Sequence, residues 1–168
     1  ITHFDRDHIG GAADVIDAFS VKRLLEPDYE PESPDSEEYL AYRDAISRNQ
    51  IQAESLNDDL QLNIGGMRMQ IYTANAVYDK NIDNNNSLVV DLTHEGNRFL
   101  FAGDIEKQRI QDMLEQGQIN SCDFLKVPHH GRYNSALNDL FEAASPTYAA
   151  ITCSVKNPPE QETLDALE

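Results

Sequence analysis

Thr2-His3-Phe4-Asp5-Arg6-Asp7-His8-Ile9-Gly10-Gly11 carries four metal-ligand residues, His3, Asp5, Asp7 and His8, within six positions. A neutral imidazole nitrogen binds zinc or manganese, and a carboxylate supplies a hard anionic oxygen. Alternation at positions 3, 5 and 7 lets an extended segment aim three side chains the same way. His8 adds a donor at the turn into a helix. Two divalent ions could share such a loop and activate a water. A polar loop with a capping Asp would explain one or two of these residues, but not four at this density before Gly10-Gly11.

Two further segments end an apolar strand in residues of the same kind. Phe99-Leu100-Phe101-Ala102-Gly103-Asp104 places a carboxylate where the chain leaves a sheet. Gly103 permits close backbone approach, and Asp104 could bridge two ions with its two oxygens. Taken alone, Asp104 reads more readily as the N-cap of the helix that follows. Phe124-Leu125-Lys126-Val127-Pro128-His129-His130-Gly131 places adjacent histidines after a strand, in a chain with only five histidines. The fifth, His94, lies at a hairpin without an acidic cluster and reads as a surface residue.

With these motifs in order, the chain resembles the metallo-β-lactamase superfamily. Within it, the chain most resembles the hydrolase domain of ComEC-type DNA-uptake proteins, which carry HxDxDH in place of HxHxDH. The quoted features are residues 3–8, Asn84-Asn85-Asn86-Ser87 before Leu88-Val89-Val90, Gly103-Asp104, and residues 126–131. The resemblance implies an α/β fold of the four-layer αββα sandwich type, spanning residues 1–168 as one hydrolase domain. It assigns His3 and Asp5 to a first metal, Asp7 and His8 to a second, and Asp104 to a bridge. One of His129 and His130 completes the second metal. Neighbours leaving a strand point to opposite sides, so only one should be a direct ligand, and His130 is favoured. Asn86 stands near a position where relatives have a metal-binding histidine, and would orient a ligand or water.

The resemblance also implies two divalent ions, zinc or manganese, and a phosphoester or phosphodiester substrate. Asp7 would orient the nucleophile while binding metal. Arg132, Asn134 and Ser135 could hold a phosphate, with loop solvation and helix capping as the equal alternative. A small-molecule esterase, of phosphorylcholine esterase or lactonase type, is the second enzymatic reading. A non-catalytic metal-binding domain is the third.

Two departures bear on these readings. Relatives have strands before the HxDxDH loop, so the sandwich is expected to be incomplete at both ends in this chain. The loop at His3 is then expected to fray, leaving the chain metal-poor and inactive without those strands. Relatives also often follow the last strand with a histidine, whereas Ser154-Val155-Lys156-Asn157-Pro158-Pro159 has none.

The elements that must position these residues follow from hydrophobic period and breakers. Residues 9–19 read as a helix, with Ile9, Ala12, Ala13, Ile16 and Phe19 on one face. Residues 21–25 read as a short strand, and residues 26–35, with three prolines and five acids, as a solvated loop. Ser36 caps a helix carrying Tyr39, Leu40, Tyr42 and Ile46. Strands follow at 51–56, 60–64 and 67–72, the last two hinged at Gly65-Gly66. Residues 87–93 and 98–102 form a hairpin, so the stretch 51–102 is nearly all strand. Then come a helix at 105–115, a strand at 124–127, a helix at 136–144, a strand at 148–153, and a closing helix with Pro159 in its first turn. The pattern mixes antiparallel strands with helices and does not read as a strict βαβ repeat.

The 168 residues suit one domain with one substantial core. Hydrophobic residues make up 40% and charged residues 26%, and no apolar run reaches the roughly 18 residues of a membrane span. No membrane contact is therefore expected of this segment. The net charge of −17 disfavours broad attraction to DNA, although bound dications would offset it locally. Cys122 and Cys153 have no CxxC partner and read as two inert buried thiols.

Overall fold

The computed structural model describes residues 1–168. Two stretches set its frame. Leu60 and Leu62 alternate with Gln61 and Asn63 along β3 (Leu60–Ile64), which turns at Gly65-Gly66 into β4 (Met67–Tyr72). β5 (Val89–His94) returns beside β4, and a two-residue turn at Glu95-Gly96 leads into β6 (Asn97–Phe101). These four strands are antiparallel. β7 (Phe124–Lys126) and β8 (Tyr148–Ala150) extend the same sheet in parallel, giving the order β3-β4-β5-β6-β7-β8.

Parallel neighbours need crossover helices. α5 (Lys107–Glu115) links β6 to β7, and α6 (Leu137–Ala144) links β7 to β8. A second sheet pairs β1 (Leu24–Pro27) with β2 (Ala53–Leu56), also parallel, through α3 (Glu37–Arg48). Three short helices complete the chain ahead of and between these units: α1 (Arg6–Ile9), α2 (Ala12–Ala18) and α4 (Ile82–Asn85). α7 (Gln161–Leu167) closes it.

Three apolar clusters give the layer order. Val89, Leu100 and Leu125 on the large sheet meet Ile110, Met113, Leu137 and Leu140 on α5 and α6. Leu56, Ile71 and Leu88 fill the space between the two sheets. Phe4, Ile9, Ile16, Tyr42 and Ile46 pack α1, α2 and α3 over the small sheet. The result is the αββα sandwich, with six strands in one sheet and two in the other. Burying a Leu or Ile side chain fully contributes about 1.5–3 kcal/mol, so these contacts set the spacing of the layers. No helix is long and apolar enough to cross a membrane.

Several sequence expectations need correction. The helix read over 9–19 is two helices, because Gly10 and Gly11 interrupt it where helix propensity is weakest. Phe19 leaves α2 in extended geometry and is 70% exposed. The first strand lies at Leu24–Pro27, and Glu26 within it is buried rather than solvated. Its carboxylate accepts from Tyr42 Oη at 2.6 Å and Arg43 Nη1 at 3.2 Å, which supports the buried charge. α4 interrupts the stretch 51–102. Glu106, not Asp104, occupies the N-cap of α5, and Pro159 precedes the N-cap of α7 at Glu160. Cys122 is buried, but Cys153 is exposed.

Candidate metal centre

Parallel pairing brings three strand ends to one edge of the large sheet. Phe101, Lys126 and Ala150 are in register across β6, β7 and β8. Asp104, His130 and Thr152 follow these residues closely, so the topology gathers them beside one another. Ligand sites in α/β sheets form outside such carboxyl ends.

The turn after β7 is unusual. His129 (φ 44°, ψ 49°), His130 (φ 54°, ψ 23°) and Gly131 (φ 76°) are consecutive residues in left-handed backbone. A Cβ at Gly131 would lie 2.7 Å from Pro159 Cβ, so both conformation and space require glycine there. The two histidines diverge because of this turn, with ring planes at 63°, and not through strand alternation. His130 Nδ1 lies 2.7 Å from the Thr152 carbonyl oxygen, which can only accept. The proton is therefore on Nδ1, and Nε2 presents its lone pair inward. His129 Nδ1 turns instead to Glu106 Oε1, at 3.3 Å.

Residues 3–8 arrive from the other side of the fold. Thr2 O accepts from Leu88 N at 2.8 Å. Phe4 N donates to Tyr29 Oη at 3.0 Å. These bonds hold Thr2 and Phe4 against Leu88 and Tyr29 at the entry to the loop. His3 is fully buried, with Nδ1 3.1 Å from Ser87 Oγ. Ser87 Oγ also accepts from Asp104 N at 3.2 Å, linking the loop to the β6 end. A Cβ at Gly103 (φ 58°) would stand 2.8 Å from Ser87 Cβ, so this link needs glycine before Asp104.

The donors converge in two overlapping sets: His3, His8 and Asp104, and Asp7, His8 and His130. His130 Nε2 lies 2.9 Å from Asp104 Oδ2, 3.1 Å from Asp7 Oδ2 and 3.3 Å from His8 Nε2. His8 Nε2 is 3.2 Å from Asp104 Oδ2. His3 Nε2 is buried with no hydrogen-bond partner, and its nearest carboxylate oxygen, Asp5 Oδ2, is 3.7 Å away. A buried nitrogen without a partner, beside lone pairs and carboxylates that repel one another, fits divalent cations. His8 is common to both sets, and its Nε2, which faces both His130 and Asp104, can bind one ion at a time.

Electrostatics fit the same arrangement. Burial, followed by the neighbouring His8, lowers the His3 pKa to about 3, so its imidazole stays neutral and available as a ligand. Burial alone would raise the Asp104 carboxyl, but the His8 hydrogen bond and the Lys126 ammonium outweigh it and hold it below the usual range. Burial, then the charge of Asp83, pushes Asp5 up to about 6. Burial lowers His129.

An open cleft of about 660 Å³ lies against this cluster, lined by Asp7, His129, His130, Arg132, Thr152 and Cys153 among others. Arg132 faces it with Nη1 3.7 Å from Glu160 Oε1. Asn134 and Ser135 are outside the cleft lining, and Asn134 Oδ1 accepts from Ala136 N at 3.1 Å, ahead of α6. Asn86 is the C-cap of α4 and turns back on that helix. Its Nδ2 donates to Ile82 O at 2.8 Å, and its neighbour Ser87 makes the contact with His3. His94, at the β5–β6 turn, joins neither donor set.

Sequence reasoning passed over Ser87, Lys126, Glu106 and Thr152. Ser87 and Lys126 lie inside the quoted motifs, so their polar side chains were a usable signal. Thr152 contributes a backbone carbonyl, which no residue type announces.

The sequence model of the metallo-beta-lactamase superfamily matches residues 1–154, and the chain belongs to that superfamily. The chain is 29% identical over 171 residues to ComE operon protein 3 of Bacillus subtilis (strain 168). That match covers 100% of this chain but 22% of the relative, so the chain spans a minor part of that protein's length. Among solved structures, the metallo-beta-lactamase fold protein YhfI from Bacillus subtilis aligns with a TM-score of 0.49 at 10% identity. The alignment covers 90% of this chain and 64% of that one.

Proposed function

We propose that this chain is a divalent-metal-dependent hydrolase of phosphodiesters or related phosphoesters. The observation that carries the reading is the convergence of His3, His8, Asp104, Asp7 and His130 in two overlapping donor sets, with Asp7 and His130 also lining an open cleft and His3 Nε2 buried and unpartnered. Three imidazoles and the carboxylates of Asp5, Asp7 and Asp104 suit manganese or zinc. His3, His8 and Asp104 would hold one ion, with Asp5 Oδ2 3.7 Å from His3 Nε2 as a further donor, and Asp7, His8 and His130 would hold the other. When bound, such ions supply the Lewis acidity that activates water and offsets charge on the ester.

The protein's own groups have separable tasks. Asp7 is 65% exposed and reaches both His130 and the cleft, so its carboxylate orients the attacking water. Ser87 and the Thr152 carbonyl hold the rings of His3 and His130. Arg132 places a guanidinium at the cleft, where it can pair with a phosphate oxygen in competition with Glu160.

A small ester is the second reading, and the net charge of −17 favours it over a long DNA strand. The test is a screen of manganese- and zinc-loaded protein against bis-p-nitrophenyl phosphate, single-stranded DNA, a phosphorylcholine ester and a lactone. Phosphodiester turnover that Asp104→Ala abolishes supports the proposal. Turnover of the lactone alone moves the chain to the small-ester reading. Bound metal with no turnover of any substrate makes it a non-catalytic binding domain.

A further inference from the structure

Lys126 is the one cation built into the donor cluster. It ends β7, is 15% exposed in its side chain, and projects its ammonium beneath the metal-facing carboxylate. Nζ donates to Asp104 Oδ1 at 3.0 Å and to Gly103 O at 2.9 Å. Asp104 itself is buried, and its backbone N donates to Ser87 Oγ. The two carboxylate oxygens therefore face different partners. Oδ2 faces Nε2 of His8 and Nε2 of His130, at 3.2 and 2.9 Å. Oδ1 is occupied by the ammonium.

The geometry points to Lys126 as a resident cation that confines Asp104 to one metal-facing oxygen and so makes the centre bind one ion firmly and a second weakly. This rests on the metal-centre reading above. The physical reasons are two. A carboxylate that bridges through both oxygens needs both free, and here one already accepts a charge-assisted hydrogen bond. A fixed positive charge beside a dication site also repels each ion that enters, and the low exposure of the pair limits screening by water. The shared use of His8 by the two donor sets acts in the same direction. Lys126 is thus a positioning residue that acts through Asp104.

The test is isothermal titration of the metal-free protein with Mn²⁺ and, separately, Zn²⁺, with bound metal counted by elemental analysis. Wild type, Lys126→Met, Lys126→Gln and Lys126→Arg are compared, with circular dichroism reporting folding of each. Gln keeps a neutral donor to the same oxygens, so it stays informative if the Met variant does not fold. The expected result is a second ion bound about tenfold or more tightly in the Met variant, the scale on which outer partners of metal ligands act, and a smaller gain in the Gln variant, which removes the charge but keeps a donor on Oδ1. The Arg variant should keep the weak second ion of wild type. Unchanged or weakened second-ion binding in a folded Gln variant overturns the role of Lys126 while leaving the metal centre intact. A wild-type protein that takes up neither metal overturns the metal-centre reading and this inference with it.

Discussion

Residues 3–8 reach the donor cluster on ordinary backbone held from afar, whereas residues 129–131 reach it through consecutive left-handed residues. Asp5 sits at φ −64°, ψ 145°, and the loop depends on hydrogen bonds such as Leu88 N to Thr2 O and Ser87 to His3. His129 and His130 sit at φ 44° and 54°, conformations that cost about 1–3 kcal/mol each for non-glycine residues. The turn persists because Thr152, Pro159 and Ile151 surround it. One region places ligands by tethering, the other by stored local strain. The first should be sensitive to its distant partners, the second to its own backbone.

Asp104 stands where the two regions meet, and its removal should have the largest effect. Asp104→Ala should lower metal affinity by about 100-fold or more, beyond what supporting residues alone provide. His94→Ala should leave affinity unchanged, and equal metal content in the two variants would refute the role of Asp104.

Gly131→Ala attacks the strained turn directly. The added Cβ meets Pro159 Cβ at 2.7 Å in a backbone that disfavours side chains, so stability should fall by about 2–3 kcal/mol. A thermal or denaturant melt reads this, and an unchanged midpoint would show that the turn can relax.

Ser87→Ala attacks the tether. It removes the partner of His3 Nδ1 and the acceptor of Asp104 N, so metal affinity should drop about tenfold with little change in fold. Calorimetric titration measures it.

Acidity should separate the regions further. Asp5 keeps its proton in the metal-free fold up to about pH 6, above the 3.8 of a free Asp carboxyl. Its contribution to metal-free stability is therefore present below that free value and lost as pH rises through about 6. A cation must displace the same proton, so affinity should fall about tenfold per unit as pH drops below 6. His3 runs the other way: its folded pKa of about 3 lies below 6.5, so its contribution is present above 6.5 and fades as pH falls toward 3. Affinity profiles between pH 5 and 7 should flatten in Asp5→Asn, and an unaltered slope would exonerate Asp5.

The smallest effect is expected at His129. Asn tolerates left-handed backbone, so His129→Asn should change metal affinity by less than about threefold, within the scatter of surface changes. His130→Asn should lose most of it. Similar losses in both would show that the divergence at the turn is not functional.

Local pattern accounts for much of what could be read before the structure. β3 and β4 lie at their sequence-derived bounds, because Leu60, Leu62, Met67, Met69 and Ile71 alternate cleanly between two glycine-rich or polar turns. Ser36 caps α3 as its side chain type predicts, accepting from Tyr39 N at 3.3 Å. The density of His and Asp in residues 3–8 and 129–130 marked the cluster. What escaped was set by partners remote in sequence or by backbone. Ser87 and His3 are 84 residues apart, and nothing local pairs them. The left-handed geometry of His129 and His130 has no signature in those side chains beyond the glycine that follows. Glu26 looked like part of an acidic loop because Tyr42 and Arg43, which support it, lie on another element.

The separation between His8 and His130, 122 residues, also bears on how the protein folds. Contacts so remote form only after both layers and the crossovers of β6, β7 and β8 are in place, since loop closure costs entropy before any contact offsets it. The donor cluster is therefore expected to assemble late in folding, so that metal uptake would report completion of the native topology. In a refolding experiment, metal binding should lag behind the recovery of helical and strand signals, and saturating metal should slow unfolding more than it speeds folding.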